Sequence, residues 1–226
     1  MALQLFGKQG WTSLEEVVMS AHTAVLVVDM QNDFCAPGGR AHRRGRDLTA
    51  IEALIPRLKD FLTQARAASV RIIYIQNSVR PDGALSGPAD LVRRAAEWGA
   101  EDPLVTLPGT WGHRIVEDLA PKPQDLVVPK FRQSGFVATN LEMILRGNGI
   151  ETVIVTGVAT HACVEATARD ALTRDFYVVI PRDGVAALEP QLHEAALLIL
   201  EALLPRGMVP KAAEVEAIWA AQSGKA

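Results

Sequence analysis

Cysteine is nearly absent from this chain: Cys35 and Cys163 are the only two among 226 residues. Two thiols cannot build a disulfide framework, and such sparse use fits a reducing compartment, so the cytoplasm is the expected location. No apolar run approaches the roughly 18 residues that a bilayer-spanning helix needs. Met1 to Trp11 lacks the basic stretch and apolar core of a secretory leader. Positive charge is not in surplus either; the net charge is −3, so no basic field draws nucleic acid or an anionic membrane. The five histidines, His22, His42, His113, His161 and His193, show no metal-ligand spacing. With no internal repeat, low-complexity tract or linker, the expectation is one domain spanning 1–226.

What is present is ordinary for a globular protein, with 49% hydrophobic and 22% charged residues. The pattern alternates between two periods. Ala24–Val28, Val70–Ile75, Asp125–Pro129, Val153–Val155 and Phe176–Ile180 are apolar, β-branched runs that read as buried parallel strands. Between and after them lie helical patterns. Ser13–Val17 opens a short helix, and Ile51, Leu54, Ile55, Leu58, Phe61 and Leu62 carry one to about Ala68, with Pro56 as a kink or a true start. Further helices are expected at Ala89–Trp98, Ile115–Leu119, from Thr139 to Gly147 or Gly149, at Pro190–Leu204 and at Ala212–Ala221. Thr49 with Glu52, and Thr139 with Glu142, have capping-box spacing. The fold class implied is α/β, a doubly wound, Rossmann-like parallel sheet with helices on both faces. Segment 77–112 is too long for a plain connection and reads as a lid or pocket wall.

The chain is organised around Val153 to Glu165. A β-branched strand ends at Gly157, and Thr160 has the character of a cap for a helix running to Leu172. Cys163 then lies in the first helical turn, where free N–H groups and the helix dipole favour a thiolate and can hold an oxyanion. Most lone cysteines are small core residues, so this setting alone does not make a nucleophile. Asp29 and Lys130, however, also fall at the carboxyl ends of strands, where ligands bind in such folds. A thiol, a carboxylate and an ammonium converging there form a workable set for covalent hydrolysis.

Three segments carry a resemblance: Asp29-Met30-Gln31-Asn32-Asp33-Phe34; Lys130 with Ser134-Gly135-Phe136; and Gly157-Val158-Ala159-Thr160 through Cys163-Val164 and Thr167–Ala171. In this order and spacing the chain resembles the isochorismatase-like cysteine hydrolases from about Ala24 to Gly184. The resemblance implies a triad of Asp29, Lys130 and Cys163. It implies a cis peptide before Ala159 and an oxyanion hole from the backbone N–H groups of Ala159 and Cys163. True isochorismatases lack the cysteine, and nicotinamidases carry metal ligands where this chain has Gln76-Asn77-Ser78-Val79-Arg80, with no histidine. The branch implied is therefore metal-independent and cofactor-free, a homo-oligomer acting on small linear amides or ureides of the ureidoacrylate or biuret and triuret type. N-carbamoyl amino acid and maleamate amidases, or a catalytically silent binding relative, are the alternatives. Phe34, Asn77 and Gln133 are candidate substrate contacts, Gln133 because a primary amide both donates to and accepts from a ureide. His161 reads as a rim residue, since positions i and i+2 do not face each other on a helix. Cys35 reads as packing.

Overall fold

The computed structural model describes residues 3–101 and 104–223. Met1 and Ala2 of the N-terminal stretch, Asp102 and Pro103 of the long connection, and 224–226 of the domain bounds lie outside the described residues. In chain order the elements are β1 (Leu3–Leu5), β2 (Lys8–Gly10), α1 (Leu14–Val17), β3 (Thr23–Val28), α2 (Asn32–Cys35), α3 (Arg40–Arg43), α4 (Thr49–Ala67), β4 (Arg71–Asn77) and α5 (Pro88–Trp98). There follow β5 (Leu126–Lys130), α6 (Leu141–Gly147), β6 (Thr152–Val158), a π-helical turn at Thr160–Val164, α7 (Glu165–Leu172), β7 (Tyr177–Val179), β8 (Val185–Ala186), α8 (Pro190–Leu203) and α9 (Ala212–Ser223).

The main sheet runs β5-β4-β3-β6-β7, with β8 beside β6 and every pairing parallel. All six residues of β3 and all seven of β6 are buried, which requires cover on both faces. Helix α4 supplies part of it through Ile51, Leu54, Leu58, Phe61, Leu62 and Ala65, an apolar stripe at helical spacing. Full burial of each large side chain in that stripe contributes about 1.5–3 kcal/mol. Phe61 meets Trp219 of α9 at 5.2 Å between ring centroids, so the two helices share one layer. The strand order reverses between β3 and β6, and the crevice beyond that switch point is where such sheets bind ligands.

Several local expectations are corrected. Gly157 lies inside β6, not at its end, with φ 103°. A Cβ there would stand 2.1 Å from the Val28 carbonyl oxygen, so glycine lets β6 approach β3 at the switch point. Gly157→Ala should therefore lower stability by about 2–4 kcal/mol in urea unfolding; a loss below about 1 kcal/mol would contradict this. The two capping boxes do not form. Leu48 precedes α4 while the Asp47 carboxylate accepts from the Thr49 N–H, and Asn140 precedes α6 while Thr139 donates to the Gly135 carbonyl. Pro56 sits within α4, which neither starts nor ends there. The helix expected at Ile115–Leu119 is a short 3-10 turn, Glu117–Leu119, because Ile115 bridges to Gln31. The β1–β2 hairpin has no counterpart in the sequence reading, its strands being short and largely exposed.

Candidate active site

Three strand ends deliver the site. Asp29 follows β3 with φ 53°, a left-handed conformation that aspartate tolerates better than most residues. Its N–H donates to the Ile75 carbonyl at 2.9 Å, and its Oδ1 accepts from the Asn77 N–H at 3.0 Å. Lys130 closes β5 in register with Asn77 of β4. Its long stem crosses the end of β4 and brings Nζ to 2.8 Å from Asp29 Oδ2. The same Nζ donates to Cys163 Sγ at 3.2 Å and to the Arg132 carbonyl at 3.1 Å. Asp29, Lys130 and Cys163, named separately from the sequence, are thus brought into one contact group.

Cys163 lies in the π-helical turn that leads into α7, and the Val158–Ala159 peptide before that turn is cis. Thr160 does not cap the helix: its hydroxyl is hydrogen-bonded to His193 Nδ1 at 2.8 Å, and Ala159 precedes the turn. π-turns of this kind re-aim side chains and recur at functional sites.

Burial dominates the electrostatics. Lys130 is fully buried and Asp29 is 2% exposed. Burial pushes the Asp29 carboxyl above the usual carboxylate range, although the Lys130 ammonium pulls it back in part. Burial opposes the charge on Lys130, but the Asp29 carboxylate and the Cys163 sulfur together hold its pKa above the ordinary value. Burial pushes the Cys163 thiol up to about 12, against the lowering effect of Lys130. Burial thus works against the thiolate that the turn at Cys163 and the Lys130 ammonium favour, with Asp29 and Lys130 as hydrogen-bonding partners of the sulfur.

A cavity of about 290 Å³ opens over the three side chains. Phe34, Asn77, Gln133, Ala159 and His161 line it, as does part of the 77–112 segment through Arg93, Arg94, Glu97, Trp98 and Val105. Trp98 ends α5 against Phe34, 5.6 Å between centroids, and its carbonyl accepts from Arg40 and Arg44. The Asn77 amide donates to Thr106 Oγ1 at 2.6 Å, and Gln133 is exposed at the cavity wall. Cys35 is buried with its thiol 3.7 Å from the Asp29 carbonyl, and burial raises its pKa strongly, which fits packing. Gln31 went unremarked in the sequence. It is wholly buried, donates to the carbonyls of Asn77 and His113 at 2.9 and 2.8 Å, and accepts from the Asn77 N–H. A glutamine three residues beyond a buried strand was the available signal.

This fold, with a thiol, a carboxylate and a buried ammonium in contact at the switch point, defines a cysteine hydrolase of the α/β class. Residues 23–210 match the isochorismatase domain family model, and the chain belongs to that family. It is 35% identical to the ureidoacrylate amidohydrolase RutB of Methylorubrum extorquens, over 93% of this chain and 90% of that protein. Among solved structures it resembles a cysteine hydrolase from Pseudomonas syringae pv. phaseolicola, with TM-score 0.77 and 28% identity, covering 93% of this chain and 96% of that one. It also resembles the N-carbamoylsarcosine amidase of Thermoplasma acidophilum, with TM-score 0.65 and 27% identity, covering 84% and 96%. Among the described residues no helix is long and apolar enough to cross a membrane.

Proposed function

We propose that the chain, working as one domain, hydrolyses a C–N bond of a small linear ureide through a thioester on Cys163. The observation that carries this reading is the Lys130 ammonium, 2.8 Å from the Asp29 carboxylate and 3.2 Å from the Cys163 sulfur. Asp29 takes the thiol proton as sulfur attacks the carbonyl carbon. The backbone N–H groups of Ala159 and Cys163 hold the tetrahedral oxyanion. Collapse breaks the C–N bond, the proton on Asp29 passes to the leaving nitrogen, and ammonia or an amine departs. Water then attacks the acyl group, giving its proton to Asp29, which returns it to the sulfur. Lys130 keeps the site charge-balanced while protons move between carboxyl and thiol. Phe34, Asn77 and Gln133 contact the substrate. The ureide class is supported by the 35% identity to a ureidoacrylate amidohydrolase. An ammonia-release screen over ureidoacrylate, biuret, triuret, maleamate and N-carbamoyl amino acids tests it. The reading expects a ureide at the top of the panel, and preference for maleamate or for no member would contradict it.

The same reading makes the reaction metal-independent. Among the described residues no three His, Cys, Asp or Glu side chains cluster as a metal site would require. At the end of β4, Gln76 donates to the His113 carbonyl and Ser78, just past it, is hydrogen-bonded to the His113 ring. Exhaustive dialysis against a strong chelator should leave kcat/KM within about 2-fold of its starting value; a loss restored by zinc would overturn this. The enzyme is further read as a cytoplasmic homo-oligomer. The apolar residues that α8 exposes, Leu192, Leu198 and Ile199, favour an interface there.

A further inference from the structure

Among the cations that line the active-site cavity, Arg132 differs from the others. Arg46 is paired with Glu189, Arg93 with Glu97 at 2.7 Å, Arg94 with Asp90 at 2.8 Å and Lys130 with Asp29 at 2.8 Å. Arg132 has no carboxylate partner among the described residues. Its guanidinium donates to two backbone carbonyls, Phe131 through Nη1 and Leu85 through Nη2, each at 2.7 Å. Those acceptors are neutral, so they fix the side chain without cancelling its charge. A guanidinium carries five N–H donors, and two are used here, which leaves three.

Arg132 is also tied to the reacting atoms. Its carbonyl accepts from Lys130 Nζ, which is one hydrogen bond from Cys163 Sγ. A fixed, uncompensated positive charge in the wall of a cavity of about 290 Å³ favours a ligand that carries a negative one. A planar fork with free donors matches a carboxylate in particular.

We propose that Arg132 holds a carboxylate on the substrate, so that the enzyme selects ureido acids over neutral ureides such as biuret. This rests on the ureide reading above and narrows it. The negative group docks on Arg132 while the ureide carbonyl meets Cys163. Arg132 is then a specificity residue, acting on binding more than on the chemical step.

The test compares 3-ureidopropionate with its neutral amide, 3-ureidopropanamide, which keeps the ureide and loses the charge. Wild type should prefer the acid. Arg132→Gln should raise KM for the acid about 30-fold with kcat within about 3-fold, and leave kcat/KM for the amide within about 3-fold. Arg132→Lys, which keeps the charge and loses the fork, should recover part of the difference. Equal losses on both probes, or an unaffected acid, would overturn the proposal. If wild type hydrolyses neither probe nor any ureide of the panel, the ureide reading itself fails, and in either case calorimetric binding to Cys163→Ala still decides the anion site. Acid bound more tightly than amide, with the difference lost in Cys163→Ala/Arg132→Gln, supports it. Equal binding of the two, or no binding of the acid, contradicts it.

Discussion

Cys163→Ala should lower kcat/KM by at least about 10,000-fold, the scale on which removal of a covalent nucleophile acts. No other group in the cavity offers an equivalent electron pair at that point. Cys35, the second thiol, is buried away from the cavity beside the Asp29 backbone. The fold should survive, because Lys130 keeps its contacts to Asp29 at 2.8 Å and to the Arg132 carbonyl at 3.1 Å without the sulfur. Removing one half-buried sulfur should therefore cost no more than about 2 kcal/mol of stability, read by urea unfolding. A variant that keeps a tenth of wild-type activity in clean protein would remove the covalent mechanism.

Lys130→Met should lose at least about 100-fold in kcat/KM. A surface lysine in that position would change stability by less than about 0.5 kcal/mol, but Lys130 is fully buried and ion-paired. Its loss leaves Asp29 without a cation in a site that already pushes the carboxyl up. Keeping that carboxylate ionised and unpaired would cost about 3–5 kcal/mol, so the variant takes up a proton instead. The sign of the pH dependence follows. A carboxyl whose folded pKa exceeds its unfolded value of about 3.9 binds more protons in the folded state. Lys130→Met should thus be most stable below about pH 4 and lose stability as pH rises through the raised folded pKa. Iodoacetamide should also react more slowly with Cys163 than in wild type at any fixed pH, since Lys130 is the group that lowers the thiol's pKa. A variant with unchanged kinetics, unchanged alkylation and a flat pH–stability profile would show that Lys130 has no part in the site.

The strands of the sheet were legible because buried parallel strands must be apolar throughout, and Val25–Val28 and Val153–Val155 are. Asp29, Lys130 and Cys163 were legible as a set because strand ends converge in a parallel sheet, whatever lies between them in sequence. What sequence could not convey was burial. A lysine at a strand end reads as solvated, and only its place beside Asn77 in the register of β5 against β4 and its ion pair to Asp29 show that it is buried. The start of a helical segment near Cys163 was legible, but its π-helical form and the burial that works against a thiolate there were not. Thr160 has the chemistry of a cap, yet His193, 33 residues away, takes its hydroxyl. The β1–β2 hairpin escaped notice because three-residue strands carry no period, and its turn places Phe6 at φ 52° where an asparagine or glycine would be the usual marker.

The central claim is that acyl transfer passes through Cys163, and mass spectrometry after acid quench tests it most directly. Enzyme turning over its preferred ureide should show, within milliseconds, a mass increment equal to substrate minus its leaving amine. That increment should be confined to the peptide holding Cys163, and should vanish as substrate is consumed. Turnover that proceeds while this peptide carries an unmodified thiol at every quench time would contradict the account.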